Sequence, residues 1–423
     1  MKYHKSYNLE RSRVTNDFQT MINIIIFNSL GFFLLDFLIP YVASQELGAL
    51  GAEMGIIFSI IVIGYMISSP FVGAITDRIS KRFLVFIGSI GRGIAYFILF
   101  FAIILKSLWG IAFGMFSLGF LAGIFWIPLN ALIAEKSSVE NRSYAYGRRQ
   151  SAEGIGTFFG ALIGFTILMN AVETTPNNPF LIYSALVIYG LANFFAGIIF
   201  LTRVEESIKF KEEVKVDLST NPVSKQKNWI PSGLVIGFSL LILVLFLSSA
   251  NGSLAKPFLN VFLLENIENN PTLATLGYAP SGIVSMLLAP KLGELADRMN
   301  PYLGISLASG FGALITFALI NTSNLWIFAR LLIIDFTIVT TGGLILSNFI
   351  SRASKTHRGK IFGFQSTFSN LGAVAGPILG GFLWDISSKL PFIVSIIVEL
   401  ALILPFIIAI FYLKPHLAEK FTN

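Results

Sequence analysis

Long apolar runs separated by short polar segments make up most of the chain. Twelve of them have the length, roughly 20 residues, that a helix needs to cross a hydrocarbon layer of about 30 Å. In chain order, they cover about 18–44, 53–74, 83–105, 107–133, 148–171, 179–202, 230–263, 272–293, 302–321, 324–349, 360–384 and 390–413. Backbone inside lipid must satisfy its own hydrogen bonds, and the apolar–polar alternation of barrel strands does not appear. The pattern predicts an all-α membrane protein with twelve transmembrane helices.

The two halves of the sequence repeat each other. Arg142, Gly147, Gly156, Gly160 and Gly164 match Arg358, Gly363, Gly372, Gly376 and Gly380 at a constant offset of 216 (358 − 142). A duplicated unit of this kind indicates internal structural symmetry. We therefore expect two pseudo-symmetric six-helix bundles over 1–203 and 230–423, joined by a polar linker over 204–229.

Composition supports a membrane protein and sets its orientation. Hydrophobic residues make up 54% of the chain and charged residues 13%, with a mean hydropathy of +0.75, whereas soluble domains carry about 25% charged residues. Most Lys and Arg lie in segments on one side of the predicted helices, so the positive-inside rule predicts cytoplasmic termini. The first run is too long for a signal peptide, and we expect a prokaryotic plasma membrane.

The net charge of +7 does not indicate nucleic-acid binding, because the bases recur in short clusters that suit anionic lipid. The chain has no cysteine, and its three histidines lack metal-ligand spacing. No Walker loop or catalytic constellation is present, so neither an enzyme nor a cofactor is predicted.

A polar segment between helices 2 and 3 carries the most specific motif. It reads GAITDRISKR over 73–82, and GELADR over 293–298 repeats it in the second half. With twelve duplicated helices, this motif resembles that of the major facilitator superfamily. Gly73, Asp77, Arg78, Lys81 and Arg82 match the family pattern, and Ser80 replaces its usual glycine.

The resemblance implies that this segment gates the transport path. Asp77 would accept hydrogen bonds from the N-terminus of helix 11, where the helix dipole favours an anion, and Gly73 would allow close helix approach. The alternative is that the bases only hold the loop in the cytoplasm. The candidate gate residues are Gly73, Asp77, Arg78, Lys81, Arg82, Gly293, Asp297, Arg298, Arg142, Arg358, Gly376 and Pro377.

Glycines recur at every fourth position in helices 5 and 11. Such spacing makes a groove for a neighbouring helix, and Pro377 permits a bend in helix 11. A glycine–proline motif in helix 5 marks the antiporters of the family that the chain resembles. Here Ala161 stands where that proline would be, so the antiporter signature is weakened. Plain helix packing is the alternative explanation of these glycines.

Ionisable residues inside spans are costly and therefore candidates for function. Asp36 lies in helix 1, followed by Pro40, and Lys256 lies directly before Pro257 in helix 7. The residue before a proline disfavours helical geometry, so helix 7 should break at Lys256, and broken helices mark transporter binding sites. The resemblance implies that the two helices face each other. We expect Asp36 to carry the coupling proton, with Lys256 as its partner or as an anchor for an anionic substrate. The alternative is that Lys256 reaches the interface and that Asp36 pairs locally.

Other polar residues extend this set. Arg330 and Asp335 are five apart, about 140° around a helix, so at least one needs a partner on another helix. Arg149 and Glu153 are four apart and share a face, as a gate or as an interfacial ion pair, and Arg92 has Asp36 and Glu153 as alternative partners. The candidate coupling or binding residues are Asp36, Lys256, Arg92, Asn251, Arg330, Asp335, Asn130, Glu153 and Arg149.

These features predict a secondary active transporter that works by alternating access. Proton-coupled efflux of small hydrophobic organic compounds is the leading hypothesis. One alternative is a proton- or sodium-driven importer of a sugar, an amino acid or an organic anion. Another is a membrane scaffold or sensor that transports nothing. The expected partners are a small-molecule substrate, a proton or sodium ion and the lipid bilayer, and the chain is expected to be a monomer.

Overall fold

Every predicted apolar run is helical in the computed structural model, which describes residues 14–76, 78–137, 142–208, 232–351 and 358–416. The spans are α1 (Phe18–Asn28 and Phe32–Tyr41), α2 (Gly51–Thr76), α3 (Lys81–Ile104), α4 (Leu108–Glu135), α5 (Arg142–Thr174), α6 (Ser184–Arg203), α7 (Ser232–Leu254 and Leu259–Asn266), α8 (Pro271–Arg298), α9 (Pro301–Leu319), α10 (Leu325–Ser351), α11 (Arg358–Ile386) and α12 (Leu390–Leu413). Short helical turns cover Val42–Glu46, Pro179–Ile182, Lys256–Phe258 and Lys414–His416. The prediction of an all-α, twelve-helix membrane protein is confirmed.

Ten of these helices are long and apolar enough to cross a membrane by length and composition, counted over the described residues. The helices α8 and α11 pack between the halves, α8 against α5 and α11 against α2. Helices in this position face less lipid, so polar residues cost less there. Elsewhere large apolar side chains point outward: Trp109 is 80% exposed. Such surface suits acyl chains rather than water.

Successive helices run in opposite directions, so the bundle has two ends. One end, here called the terminal face, holds the start of α1, the end of α12 and the α2–α3, α4–α5 and α8–α9 connections. The other end, the distal face, holds the α1–α2, α7–α8 and α11–α12 connections. These names carry no assignment to a side of the membrane.

The predicted break in α7 is confirmed. The α-helix ends at Leu254, a 3₁₀ turn covers Lys256–Phe258, and a second helical segment begins at Leu259. Its counterpart α1 is interrupted between Asn28 and Phe32, which the sequence pattern does not predict, and stays helical through Pro40. Both interrupted helices are the first of their halves.

Two helix ends differ from the prediction. The helix α5 begins at Arg142 rather than near 148, and α8 continues to Arg298 rather than ending near 293. The apolar pattern missed these turns because they are polar, although Glu, Ala, Leu and Arg favour helix. The second copy of the polar motif, 293–298, therefore forms the last turns of a helix.

The repeated glycines pack helix against helix in the same way in both halves. Gly156 and Gly160 of α5 face the backbone carbonyls of Ile26 and Leu30 in α1. The equivalent Gly372 and Gly376 of α11 face those of Phe246 and Ala250 in α7. A side chain at these positions would collide with backbone. The predicted groove is confirmed, and its occupant is the interrupted first helix of each half.

The buried apolar residues divide unevenly along the membrane normal. At the distal face, one core joins both halves, with Phe37 and Leu99 from the first and Phe262 and Phe328 from the second. Towards the terminal face there are two separate cores. One is built from α1 and α3 to α6, and the other from α7, α10 and α12. Among the described residues, the halves share a buried core at the distal face and have separate buried cores towards the terminal face.

The predicted domain boundaries, with a linker over 204–229, stay a prediction because residues 209–231 lie outside those described.

Candidate functional site

Asp36 and Lys256 form an ion pair between the halves. The Nζ atom of Lys256 in the α7 break lies 2.7 Å from Oδ2 of Asp36 in α1. The side chains are 41% exposed for Lys256 and 29% for Asp36, so the pair is partly exposed. The geometry gives Lys256 a partner on the opposite half. The roles assigned to the two residues from the sequence stay predictions.

The break in α7 brings this pair together. Pro257 has no N–H to continue the hydrogen-bond ladder, so the chain turns at Lys256. Two residues after the turn ends, Asn260 donates from Nδ2 to the carbonyl oxygen of Phe37, at 2.6 Å. Phe37 directly follows Asp36. The side-chain bond therefore fixes the second segment of α7 against the turn of α1 that carries the acid.

An aromatic cluster seals the interior beside the ion pair. The ring of Tyr278 in α8 stacks on Phe33 at 5.7 Å and contacts Phe37 at 5.3 Å. Phe165 of α5 and Phe336 of α10 complete the cluster. Four helices from both halves contribute these rings, and Phe33, Phe37, Phe165 and Tyr278 are buried, so the rings fill the space between the halves at this level. Sequence reasoning missed this seal; the only local signal is that Phe33 and Phe37 share a face of α1.

A second polar cluster lies in the first half, nearer the terminal face. Arg149 and Glu153 of α5 form the i,i+4 ion pair that their spacing allows, with Nη2 3.2 Å from Oε2. The guanidinium of Arg149 lies 4.5 Å from the ring centroid of Trp126 in α4, a cation–π contact. One turn along α4, the Oδ1 atom of Asn130 is buried without a hydrogen-bond partner among the described residues. The cluster brings together a buried aromatic ring, an ion pair and a buried amide oxygen. Whether it acts as a gate stays a prediction.

Arg92 does not pair with Asp36 among the described residues. It is fully buried in α3, and its Nη2 atom donates to the carbonyl oxygen of Asn28 at 2.7 Å, where α1 is interrupted. Its guanidinium also lies within 6 Å of the rings of Phe32, Phe125 and Trp126. An attraction to Glu153 remains. Arg92 therefore fastens the α1 interruption inside the first half, a structural position that sequence spacing could not reveal.

The remaining charges of α10 point to different surroundings. Arg330 is exposed near the distal end, and the described residues include no ion pair for it or for Asp335. Asp335 instead lies close to Thr316 of α9. Asp335 also lies close to Glu399 of α12, and the carboxylate of Glu399 packs against Gly312. Two acids thus converge on one face of α9. Glu399 was missed in the sequence, although a lone acid in the most apolar span was the available signal.

Glu399 lines a cavity of about 130 Å³ inside the second half. Polar lining comes from Ser248 and Asn251 of α7 and Ser309 of α9, and the rest is apolar. The Oδ1 atom of Asn251 has no hydrogen-bond partner among the described residues. Asn251 therefore lines this cavity of the second half.

The candidate gate segment is tied to its own half in this conformation. Lys81 contacts Glu135 of α4 at 3.2 Å and Glu206 after α6 at 3.7 Å. Arg82 donates to the carbonyl oxygen of Leu201 at the end of α6. Arg78 and Arg298 are exposed. Asp77, the surroundings of Gly293 and the side chains of Asp297, Arg142 and Arg358 lie outside what the structure describes.

Two glycine expectations have different outcomes. A Cβ on Gly73 would meet no atom of the described residues within 4 Å, and the close approach expected at Gly73 stays a prediction. Gly376 does pack closely, against α7, and the carbonyl of Pro377 faces Gly55 of α2. The gating roles of these residues stay predictions.

The ionised carboxylate of Glu206 binds the α2–α3 loop. Burial by itself raises the pKa of Glu206, but hydrogen bonds from Ser80 and the N–H groups of Lys81 and Arg82, together with the Lys81 charge, lower it below the ordinary glutamate value. The Ser80 hydroxyl donates to Oε2 at 2.6 Å and the Lys81 N–H to Oε1 at 3.2 Å. A lowered pKa means that this contact stabilises the fold only while Glu206 is charged.

Glu206→Gln is expected to lower stability at neutral pH and to lose this effect in acid. The contact contributes above the unfolded pKa of about 4.5 and disappears as pH falls through the lowered folded value. Unfolding of both proteins in detergent, followed from pH 7 down to about pH 3, measures the difference. Glu205→Gln is the control, since Glu205 is exposed and the described residues include no contact of its side chain. A stability gap for Glu206→Gln that persists unchanged in acid would refute the assignment.

Comparison with known proteins places this architecture among transporters. A family model described as Major Facilitator Superfamily matches residues 21–364. The chain is 26% identical over 359 residues to multidrug resistance protein MdtG of Escherichia fergusonii, covering 79% of this chain and 80% of the relative. The MdtG protein of Escherichia coli is 26% identical over 340 residues, 78% of each chain.

Solved structures share the fold at low identity. A bacterial homologue of the human lysosomal transporter Spinster, in an inward-facing conformation, has a TM-score of 0.70 at 14% identity and covers 94% of this chain and 96% of its own. A nucleoside transporter, NupG, has a TM-score of 0.69 at 13% identity, covering 93% of this chain and 100% of its own.

Proposed function

The chain belongs to the major facilitator superfamily of membrane transporters, and on that basis we propose that it exports small hydrophobic organic compounds in exchange for protons. The proposal has three parts: alternating access, the coupling ion and the substrate. Each rests on a different observation.

Alternating access is supported by the uneven cores. The halves share one apolar core at the distal face and keep separate cores towards the terminal face. Two bodies joined at one end only can rock about the midpoint, opening one end as the other closes. The uneven distribution of the cores is the observation that supports transport, because a membrane scaffold would not need separate cores at one end.

The orientation follows from charge. Lys and Arg concentrate in segments at the terminal face, so that face is proposed to be cytoplasmic in the plasma membrane. The conformation described would then be open to the cytoplasm and closed to the outside.

Proton coupling is assigned to Asp36. The Asp36–Lys256 pair joins α1 to α7 across the closed distal end. Rocking to the other state would separate these helices, leaving the carboxylate without its ammonium partner and able to take a proton from outside. Closure would restore the pair and release the proton to the cytoplasm. The charge of Lys256 is already neutralised here, which speaks against Lys256 as an anchor for an imported anion.

The substrate class is inferred from the polar and aromatic surfaces. Trp126, Asn130, Arg149 and Glu153 give a flat aromatic ring with hydrogen-bonding groups beside it, a combination typical of sites for small organic molecules. The named relatives are multidrug resistance proteins. A hydrophobic compound, neutral or cationic, fits an aromatic face with a nearby carboxylate.

Flux measured in proteoliposomes under an imposed pH gradient tests the function. Lipophilic cations and organic anions are supplied separately, and uptake is followed with the gradient in either direction. We expect a lipophilic compound to move against the proton flow. Movement with the protons would favour the importer, and absence of any protein-dependent flux would favour the scaffold.

A further inference from the structure

We propose that Asp385 is a positioning residue of the transport cycle, whose carboxylate latches the distal face closed by binding the N-terminus of α2 across the two halves. The inference rests on the alternating access proposed above and adds a residue to it. It does not depend on the substrate or on the coupling ion.

The contact is made by both carboxylate oxygens. The N–H of Gly51 donates to Oδ1 of Asp385 at 2.6 Å, and the N–H of Ala52 donates to Oδ2 at 3.0 Å. Asp385 lies in the last turn of α11, in the second half, and Gly51 begins α2, in the first half. A charged acceptor with two backbone donors gives strong hydrogen bonds.

The start of α2 has no cap from the residues that precede it. Residues 47–50 read Leu-Gly-Ala-Leu, without the Ser, Thr, Asp or Asn that usually bind the first free N–H groups of a helix. Glu53 binds the N–H of Leu50 at 2.9 Å, which leaves the next two N–H groups for Asp385. The other half of the protein therefore completes this helix end, and the helix dipole adds attraction for the anion.

The backbones on either side fit only when the halves are closed. A Cβ on Gly51 would lie 2.6 Å from the carbonyl oxygen of Gly381, one turn before Asp385. Further into the membrane, Ser59 of α2 donates to the carbonyl of Val374 in α11 at 2.7 Å. The two helices thus touch along their distal turns, with Asp385 at the outer end of the contact. Opening of the distal face must break the Asp385 bonds.

Another contact between the halves near the distal face is weaker, because only exposed side chains make it. Glu265 of α7 meets Ser44 at 3.1 Å and Gln45 at 3.2 Å, all through exposed side chains. Such side chains can turn to water at little cost. The donors for Asp385 are backbone groups of a helix end and cannot turn away, so loss of the carboxylate should shift the balance between closed and open states.

Distance measurement between labels on the two halves tests the latch. The chain has no cysteine, so Asn177→Cys and Asn269→Cys, at exposed positions of distal loops in different halves, introduce the only labelling sites. Double electron–electron resonance in nanodiscs, without substrate and without a pH gradient, reports the separation of the halves. In Asp385→Ala we expect the ratio of distally open to closed molecules to rise roughly fivefold, the effect of losing one helix cap.

Two further variants serve as controls for Asp385→Ala. Asp385→Asn has nearly the same shape, so it should fold and show a smaller rise in the same direction. Glu53→Gln alters a bond at the same helix end but inside one half, and it should leave the distances unchanged. Unchanged distances in both Asp385 variants, or an equal shift in Glu53→Gln, would overturn the latch. The test measures distances and no flux. The latch can therefore be judged even if the proposed proton-driven export is wrong.

Discussion

Asp36→Asn is expected to abolish pH-driven transport while leaving the protein folded and able to exchange substrate. Asparagine has the shape of aspartate and can still accept a hydrogen bond from Lys256, 2.7 Å away in the parent protein, but it cannot bind and release a proton. Exchange of labelled for unlabelled substrate at equal pH needs no net proton movement. Proteoliposomes loaded with substrate allow both activities to be measured on one preparation.

Glu265→Gln is the matched control for Asp36→Asn. It also removes an acid that joins α1 to α7 near the distal face, through Ser44 and Gln45. If only cross-half attraction matters, the two variants should behave alike. If Asp36 carries the proton, only Asp36→Asn should lose the response to pH. Normal pH-driven transport by folded Asp36→Asn would remove this residue from the mechanism.

Gly160→Ala is expected to destabilise the protein, against the usual gain from replacing glycine in a helix. The added Cβ would fall on the carbonyl oxygen of Leu30, where α5 crosses α1. Backbone cannot rotate out of the way as a side chain can, so the helices must separate. Separation would also strain the 2.6 Å hydrogen bond from the Tyr189 hydroxyl to the Gly160 carbonyl. Overpacking of this kind costs about 1–3 kcal/mol.

Gly154→Ala on the same helix provides the opposite expectation. A Cβ at Gly154 would meet no atom within 4 Å, so only the intrinsic helix preference remains, a gain of up to about 1 kcal/mol. Denaturation of purified protein in detergent should therefore move in opposite directions for the two variants. Equal shifts, or a stabilised Gly160→Ala, would mean that the α1–α5 contact is looser than described.

Several elements could be predicted from the sequence because backbone inside a membrane must satisfy its own hydrogen bonds, which favours helices. The twelve apolar runs became helices, and the break at Lys256 follows from Pro257. The glycines four residues apart predicted a close helix contact. Which helix lies in each groove could be identified only from the three-dimensional structure. The ends of α5 and α8 were misjudged because their polar turns are invisible to a hydropathy pattern.

The candidate functional residues show the same difference: a pair within one helix could be predicted from the sequence, and contacts between helices could not. Arg149 and Glu153 could be paired from spacing alone, since four residues on one helix define a distance. Arg92 could not be assigned, because its partners, the Asn28 carbonyl and three aromatic rings, come from other helices. The same holds for Lys136, directly after α4, whose buried Nζ atom lies 2.6 Å from Oδ2 of Asp17, a residue 119 positions away.

By itself, the amino-acid sequence determined the membrane-spanning helices, their duplication and the few charges placed in lipid, because the cost of burying polar groups acts locally on each segment. Tertiary structure alone decided which charges on different helices meet, that the halves close at the distal face, and that Asp385 completes α2 from the opposite half. Those features depend on contacts between residues more than two hundred positions apart, as between Asp36 and Lys256, and no local pattern encodes them.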